Sequence, residues 1–268
     1  MQKILVHGLT LVGSFFALWF GLAQVDWITL LRVERATDAT EQQLGKAVWE
    51  FVSRSSDLDR TPALTAPLDT LLQRLCVAAG DPECPVRLYV VRDRMVNAFA
   101  LPDGRMIITT GLLNEVQNEA ELAGVIGHEY AHIEGRHVMN KLAKEIGLAV
   151  LISTNTGAGT DMVQQVLQSL SSTAYDRRLE SEADRRSVEL LVEARIDPAP
   201  LGNLTYRLGQ SGRDPATYLR WLSTHPEPEE RSLAILELAK DADVKPERVL
   251  SDAAWAEMKR QLTLHLVQ

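Results

Sequence analysis

The chain has 268 residues, 46% of them apolar and 24% charged, enough for one sizeable core with an appendage. Its formal net charge is −8, and its basic pairs, Arg177-Arg178 and Arg185-Arg186, are interleaved with acids and read as solvated helix faces. Nucleic acid is thereby excluded as a partner, because phosphate binding needs a concentrated Lys/Arg surface.

From Ile4 to Val25 the run ILVHGLTLVGSFFALWFGLAQV contains no Asp, Glu, Lys or Arg. Roughly 20 such residues cross the hydrocarbon core as a helix. The length of the run favours a retained anchor. A secretory signal is the other reading, with Lys3 in front and Gly21-Leu22-Ala23 as a small-x-small cleavage site. The chain thus divides into residues 1–25, anchor or leader, and 26–268, one folded domain.

Apolar residues then recur at helical spacing over 41–52 and 67–79. Cys76 and Cys84 follow, eight apart across a Gly-Asp-Pro loop. They are either reduced thiols or a disulfide pinning a helix end to the next strand, and behind an export-like segment the oxidised form is favoured. Residues 86–113, VRLYVVRDRMVNAFALPDGRMIITTGLL, alternate β-branched and aromatic side chains, with Asp103-Gly104 marking a hairpin turn. Helical patterns resume over 119–151, 162–194, 200–208, 229–238 and 253–266, separated at 154–161 by the flexible-looking TNTGAGTD. The class is therefore α+β, mostly helix, with a small sheet ahead of the helix beginning near 119.

Three of the six histidines fall within 128–137. His128 and His132 are four apart, so both imidazoles leave one helix face and can share a metal ion. Glu129 lies next to the first, placed to take a proton from water that the metal polarises and to pass it to a leaving amine. A catalytic zinc takes three protein ligands and keeps one position open. His137 is nine residues after His128, about 180° around a helix, and faces away unless the helix breaks at Gly135, so it reads as structural or surface-exposed.

The third ligand is sought in RRLESEADRR, residues 177–186. Glu180 and Asp184 share a helix face, whereas Glu182 is about 200° away from Glu180. Glu180 can bind the metal while Asp184 accepts the outer N–H of a ligating histidine and fixes its tautomer. Ala183 and Ser187, on the same side, are small enough for two helices to approach closely.

These residues resemble a family. His128-Glu129-x-x-His132 followed by Glu180-x-x-Ala183-Asp184 is similar to the membrane-associated gluzincins that include the CAAX prenyl proteases, the HtpX heat-shock protease, and the BepA and Oma-type peptidases. NAFALPDGRMIITTGLL, residues 97–113, is similar to the family's strand and hairpin, and STHPEPEER, residues 223–231, to its Ser-x-His-Pro segment with a following Arg. The match runs from about residue 65 to 240. It departs from the prenyl proteases in having one candidate span instead of several, and from the BepA type in showing no tetratricopeptide-like pattern afterwards.

The resemblance implies a zincin-like helical peptidase domain whose sheet has an edge strand bordering one zinc ion per chain. Asn97, Ala98, Phe99 and Ala100 on that strand would bind an extended polypeptide substrate by strand addition; Phe99 equally suits a core aromatic. His225 and Arg231 would lie near the metal and stabilise the oxyanion. In some periplasmic relatives the histidine instead fills the open coordination position and holds the enzyme off; of the two roles, catalysis is favoured here. The expectation is a zinc endopeptidase of exported or membrane-associated, misfolded proteins. Its setting would be a bacterial inner membrane with a periplasmic domain, or the periplasm if the leader is cleaved. The alternative is a zinc-stabilised, proteolytically silent binding module for unfolded envelope proteins.

Overall fold

The computed structural model describes residues 33–147, 159–210 and 221–266; the apolar run at 4–25 and most of the 154–161 loop lie outside them. Among the described residues no helix is long and apolar enough to cross a membrane. The chain separates into two units, Met1–Thr40 and Glu41–Gln268, with the boundary inside the first described helix, α1 (Val33–Ser55). The second unit is mostly helical around a small mixed sheet, as the sequence patterns predict.

Helix α2 (Pro62–Ala78) begins five residues before its apolar pattern does. Pro62 occupies the first turn, where its missing N–H costs no intrahelical bond. Leu64, Leu68, Leu71, Leu72 and Leu75 form its buried stripe. The sheet has strand order β1-β2-β4-β3, built from β1 (Leu58–Asp59), β2 (Arg87–Val91), β3 (Ala98–Leu101) and β4 (Arg105–Thr109). Strand β2 runs parallel to β4, and the other pairings are antiparallel. The predicted hairpin joins β3 to β4: Asp103 and Gly104 both take φ of 63°, the left-handed region such tight turns require. Strand β3 is left at the edge.

Every residue of β4 is buried, and its alternation divides the core. Met106 and Ile108 pack with α2, α3 (Thr110–Glu115), α4 (Glu119–Glu134), α7 (Arg177–Glu193), α8 (Ala199–Gly209) and α10 (Asp252–Leu266). Ile107 faces a second cluster with Val48, Val138, Leu142 and Val166, from α1, α5 (His137–Leu142) and α6 (Thr160–Ser172).

Helix α4 is the centre of the larger core, buried without interruption from Glu121 to His132. Asn118 caps it, its Oδ1 accepting from Glu121 N at 2.9 Å. Helix α7 packs along it. A Cβ at Gly127 would meet Ser187 Oγ at 2.9 Å, and that hydroxyl donates to Gly124 O at 3.0 Å, so small residues on both helices set the separation. The basic pairs on α7 do form a solvated face: Arg178 pairs with Glu182 and Arg185 with Glu189, all at the surface.

Two predicted helices are each two. The 119–151 pattern breaks after Glu134, where the Gly135 N–H caps the helix on Ala131 O and Arg136 turns left-handed at φ 54°. Helix α5 follows and passes into a π-helical turn, Ala143–Gly147. The 162–194 pattern breaks between Ser172 and Arg177, with Thr173 and Asp176 extended. Apolar periodicity hides both breaks because the halves remain amphipathic against different cores.

Cys76 and Cys84 are joined in a disulfide, and the described residues contain no free cysteine. It ties the last turn of α2 to the approach to β2. The native chain is expected to take up no thiol-alkylating reagent and two equivalents after reduction, with a loss of about 2–3 kcal/mol in urea unfolding. Two equivalents taken up before reduction would contradict the pairing.

Candidate metal centre

His128 and His132 stand one turn apart on the buried side of α4, and their Nε2 atoms approach to 3.1 Å. Two ring nitrogens facing each other at this distance need a shared proton or cation. Glu180, in the first turn of α7, brings its carboxylate to 3.4 Å from His132 Nε2 and 3.6 Å from His128 Nε2. His225 follows a short helical stretch at 221–224, and its Nδ1 lies 3.1 Å from Glu180 Oε2. These four buried residues each offer a ligand atom within 4.8 Å of the others.

Charge around the cluster is only partly matched. Helix α9 (Pro228–Lys240) carries Arg231, whose Nε and Nη2 donate to the two Asp184 oxygens at 2.7 and 2.6 Å, while Nη1 lies 2.6 Å from Glu180 Oε2. This bidentate guanidinium–carboxylate pair is a strong, orientation-specific contact. Burial pushes the Glu180 carboxyl up, but Arg231, His225 and the hydrogen bond to His132 outweigh it and hold it well below the carboxylate range. The same contest, won mainly by Arg231, leaves Asp184 at about 2. Burial drives His132 down to about 3, which makes the ring a neutral, lone-pair-bearing ligand.

Asp184 Oδ1 lies 3.0 Å from His128 Nδ1, the position expected of a group that fixes the tautomer of a ligating ring. Glu129 is fully buried and neither of its oxygens has a hydrogen-bond partner; the nearest basic group is His225 Nε2 at 3.4 Å. A buried, unpartnered carboxylate is costly unless something else is bound beside it. Two imidazole nitrogens, a carboxylate and an excess of buried acid over the single guanidinium fit a divalent cation with N/O preference. The donor set therefore suits the metal that the sequence pattern implies.

Ala98, Phe99 and Ala100 lie in edge strand β3, which packs on α4, and Asn97 immediately precedes it. The Asn97 amide is buried with no partner, whereas its backbone is tied to Thr109. Phe99 is half-buried against the smaller core and borders a cavity of about 230 Å³ with Phe51, Met95 and Leu167.

Two participants, Tyr175 and Lys141, escaped sequence reasoning, and a third, His137, was left as structural or surface-exposed. His137 is not surface-exposed: it is buried, and its Nδ1 lies 3.0 Å from His132 Nδ1. The condition stated for that outcome, a break at Gly135, is met. Tyr175 stacks on His132 with ring centroids 4.0 Å apart. Lys141 also lies over the tyrosine ring, 4.4 Å from its centroid, and donates to Thr173 O. Burial lowers its pKa to about 8. A lone Tyr or Lys in an amphipathic pattern carries no signal of such a role.

The sequence profile described as peptidase family M48 matches residues 62–239. Over 146 residues, 54% of this chain and 30% of the relative, the chain is 36% identical to the mitochondrial metalloendopeptidase OMA1 of Arabidopsis thaliana. It is 26% identical to the beta-barrel assembly-enhancing protease of Yersinia pestis, over 84% of this chain and 49% of that one. The Escherichia coli protein of the same name is 25% identical over 71% and 42%. The chain spans less than half the length of each of these relatives.

Removing one partner from a buried ion cluster leaves uncompensated charge, at a cost of about 3–5 kcal/mol. Arg231→Met is accordingly expected to lower the urea-unfolding free energy of the metal-free chain by about that amount, because Glu180 and Asp184 both lose their counter-charge. An unchanged midpoint would show that the guanidinium is not the brace its contacts describe.

Proposed function

The chain belongs to peptidase family M48, and from that premise we propose that it is a zinc-dependent endopeptidase acting on exported or membrane-associated, misfolded polypeptides. The observation that carries this reading is the buried, unpartnered Glu129 carboxylate beside four clustered donors. His128 and His132 would hold one ion through Nε2 and Glu180 through its carboxylate. Zinc bound there supplies a Lewis acid that polarises water and the scissile carbonyl. Glu129 takes the proton from the attacking water and returns it to the amine nitrogen as the C–N bond breaks. Burial keeps bulk water from competing for that proton.

An extended substrate adds to the free edge of β3 along Asn97–Ala100, through main-chain pairing that is largely blind to sequence. Asp184 orients His128, and Arg231 holds Asp184 and Glu180 in place. The Cys76–Cys84 disulfide and the uncharged run at 4–25 support an exported setting, with residues 26–268 as the peptidase domain outside the cytoplasm, anchored through 4–25 or released by cleavage.

His225 has two readings. As an oxyanion donor it contributes in the transition state. As a fourth donor it closes the resting site. The second is favoured by one observation: its ring nitrogen already lies with the donor atoms of His128, His132 and Glu180 inside the same 4.8 Å cluster.

Casein digestion by the purified chain should be abolished by a metal chelator and restored by zinc. Glu129→Gln should keep the fold and the zinc while lowering turnover at least about a hundredfold. Zinc-loaded protein with no chelator-sensitive cleavage would instead support the silent binding module. His128→Ala or Glu180→Gln should each lose the zinc, as read by elemental analysis.

For His225→Ala the closing reading predicts faster peptide cleavage than the parent. A drop of roughly 10²–10³ in turnover with little change in KM would assign His225 to the oxyanion.

A further inference from the structure

A histidine that binds a metal through Nε2 carries its proton on Nδ1, and the group that accepts this proton fixes the orientation of the ring. His128 has Asp184 for this purpose. Among the described residues, the polar atom that faces His132 Nδ1 is the Nδ1 of His137, 3.0 Å away. The two rings meet at 74° with centroids 5.0 Å apart, an arrangement that aims one nitrogen at the other.

Two N–H groups cannot face each other at 3.0 Å, so if His132 donates, His137 Nδ1 must be bare and its proton must sit on Nε2. On that side Glu182 presents Oε2 at 3.9 Å, from the outer, partly exposed face of α7. We propose that His137 is a positioning residue of the metal centre, accepting the His132 Nδ1–H and carrying its own proton on Nε2, on the side where the Glu182 carboxylate lies. The assignment rests on the reading of His128, His132 and Glu180 as zinc ligands.

The local chain is built around this contact. On an uninterrupted helix His137 would point about 180° from His128. The left-handed Arg136 ends α4 and starts α5 in a new direction, which carries His137 into the interior, where it is 2% exposed. Gly135 has an ordinary φ of −75°, so its backbone does not demand glycine. The ring does: a Cβ at Gly135 would lie 2.5 Å from His137 Nε2 and 2.8 Å from Cδ2. The glycine, the left-handed residue and the histidine form one device.

The test is zinc affinity of the full chain, measured by competition with a chromophoric chelator, so that no catalytic turnover enters. His137→Phe keeps the ring volume and removes both nitrogens; it should weaken zinc binding roughly 10–100-fold. His137→Asn, whose amide oxygen can accept where Nδ1 did, should recover most of that loss. Nitrogen-15 NMR of the histidine-labelled wild-type chain should find His137 as the Nε2–H tautomer and His132 as the Nδ1–H tautomer. Unchanged affinity in His137→Phe, equal loss in the Phe and Asn variants, or a His137 Nδ1–H tautomer overturns the proposal. If His137→Phe does not fold, the wild-type tautomers decide. Failure of the underlying metal reading is distinct: His128→Ala would then bind zinc as the wild type does, or the wild type would bind none.

Discussion

The site depends on how closely α4 and α7 can approach. Each helix contributes an i, i+4 pair, His128 with His132 and Glu180 with Asp184, and the four groups interact only if the two backbones nearly touch. Gly127 facing Ser187 allows that approach, and the Ser187 hydroxyl satisfies the Gly124 carbonyl exposed by it. A larger side chain at either position would separate Glu180 from the histidines before it created a cavity or clash elsewhere. The packing of small residues and the donor geometry are therefore one constraint.

Close approach also buries charge. Glu129, Glu180 and Asp184 are all removed from water, and such burial is tolerated only when each group is paired or bound. Arg231 answers two of the three. Glu129 has no such partner: neither of its oxygens is hydrogen-bonded. The arrangement thus sets two acids that share one guanidinium apart from a third that has none.

Much of this was legible in the chain because helical periodicity alone puts His128 beside His132 and Glu180 beside Asp184. The hairpin at Asp103-Gly104 was equally plain, since both residues tolerate the left-handed backbone that the turn uses. The break at Gly135-Arg136 was harder. Val138, Met139 and Leu142 continue an apolar pattern across it, but they face the smaller core instead of the larger one. Periodicity records that a face is buried, not which core buries it, so His137 read as structural or surface-exposed and its contact with His132 was not foreseen. Residues 173–176 concealed the second break for the same reason, and with it the stacking of Tyr175 on His132.

The resemblance placed His225 near the metal, but its resting position lay beyond sequence reasoning for a different reason: a loop's position depends on its tethers. Those tethers come mainly from α7. Arg177 pairs with Glu227 at the surface, and Glu180 and Asp184 hold Arg231 inside. Between them the chain runs from His225 through Pro226 and the left-handed Glu227 to the start of α9 at Pro228. Behind it, His225 N donates to Trp221 O and its ring lies 4.4 Å from the Trp221 ring. The segment is pinned on both sides of His225, but the Arg231 anchor does not pass through the histidine ring. Rotation of His225 out of the cluster would therefore leave the brace on Glu180 and Asp184 intact. Placing His225 in the cluster and bracing Glu180 and Asp184 are separable features of one seven-residue stretch, 225–231, so a single substitution at His225 can discriminate between the proposed lock and the proposed catalyst without removing the brace.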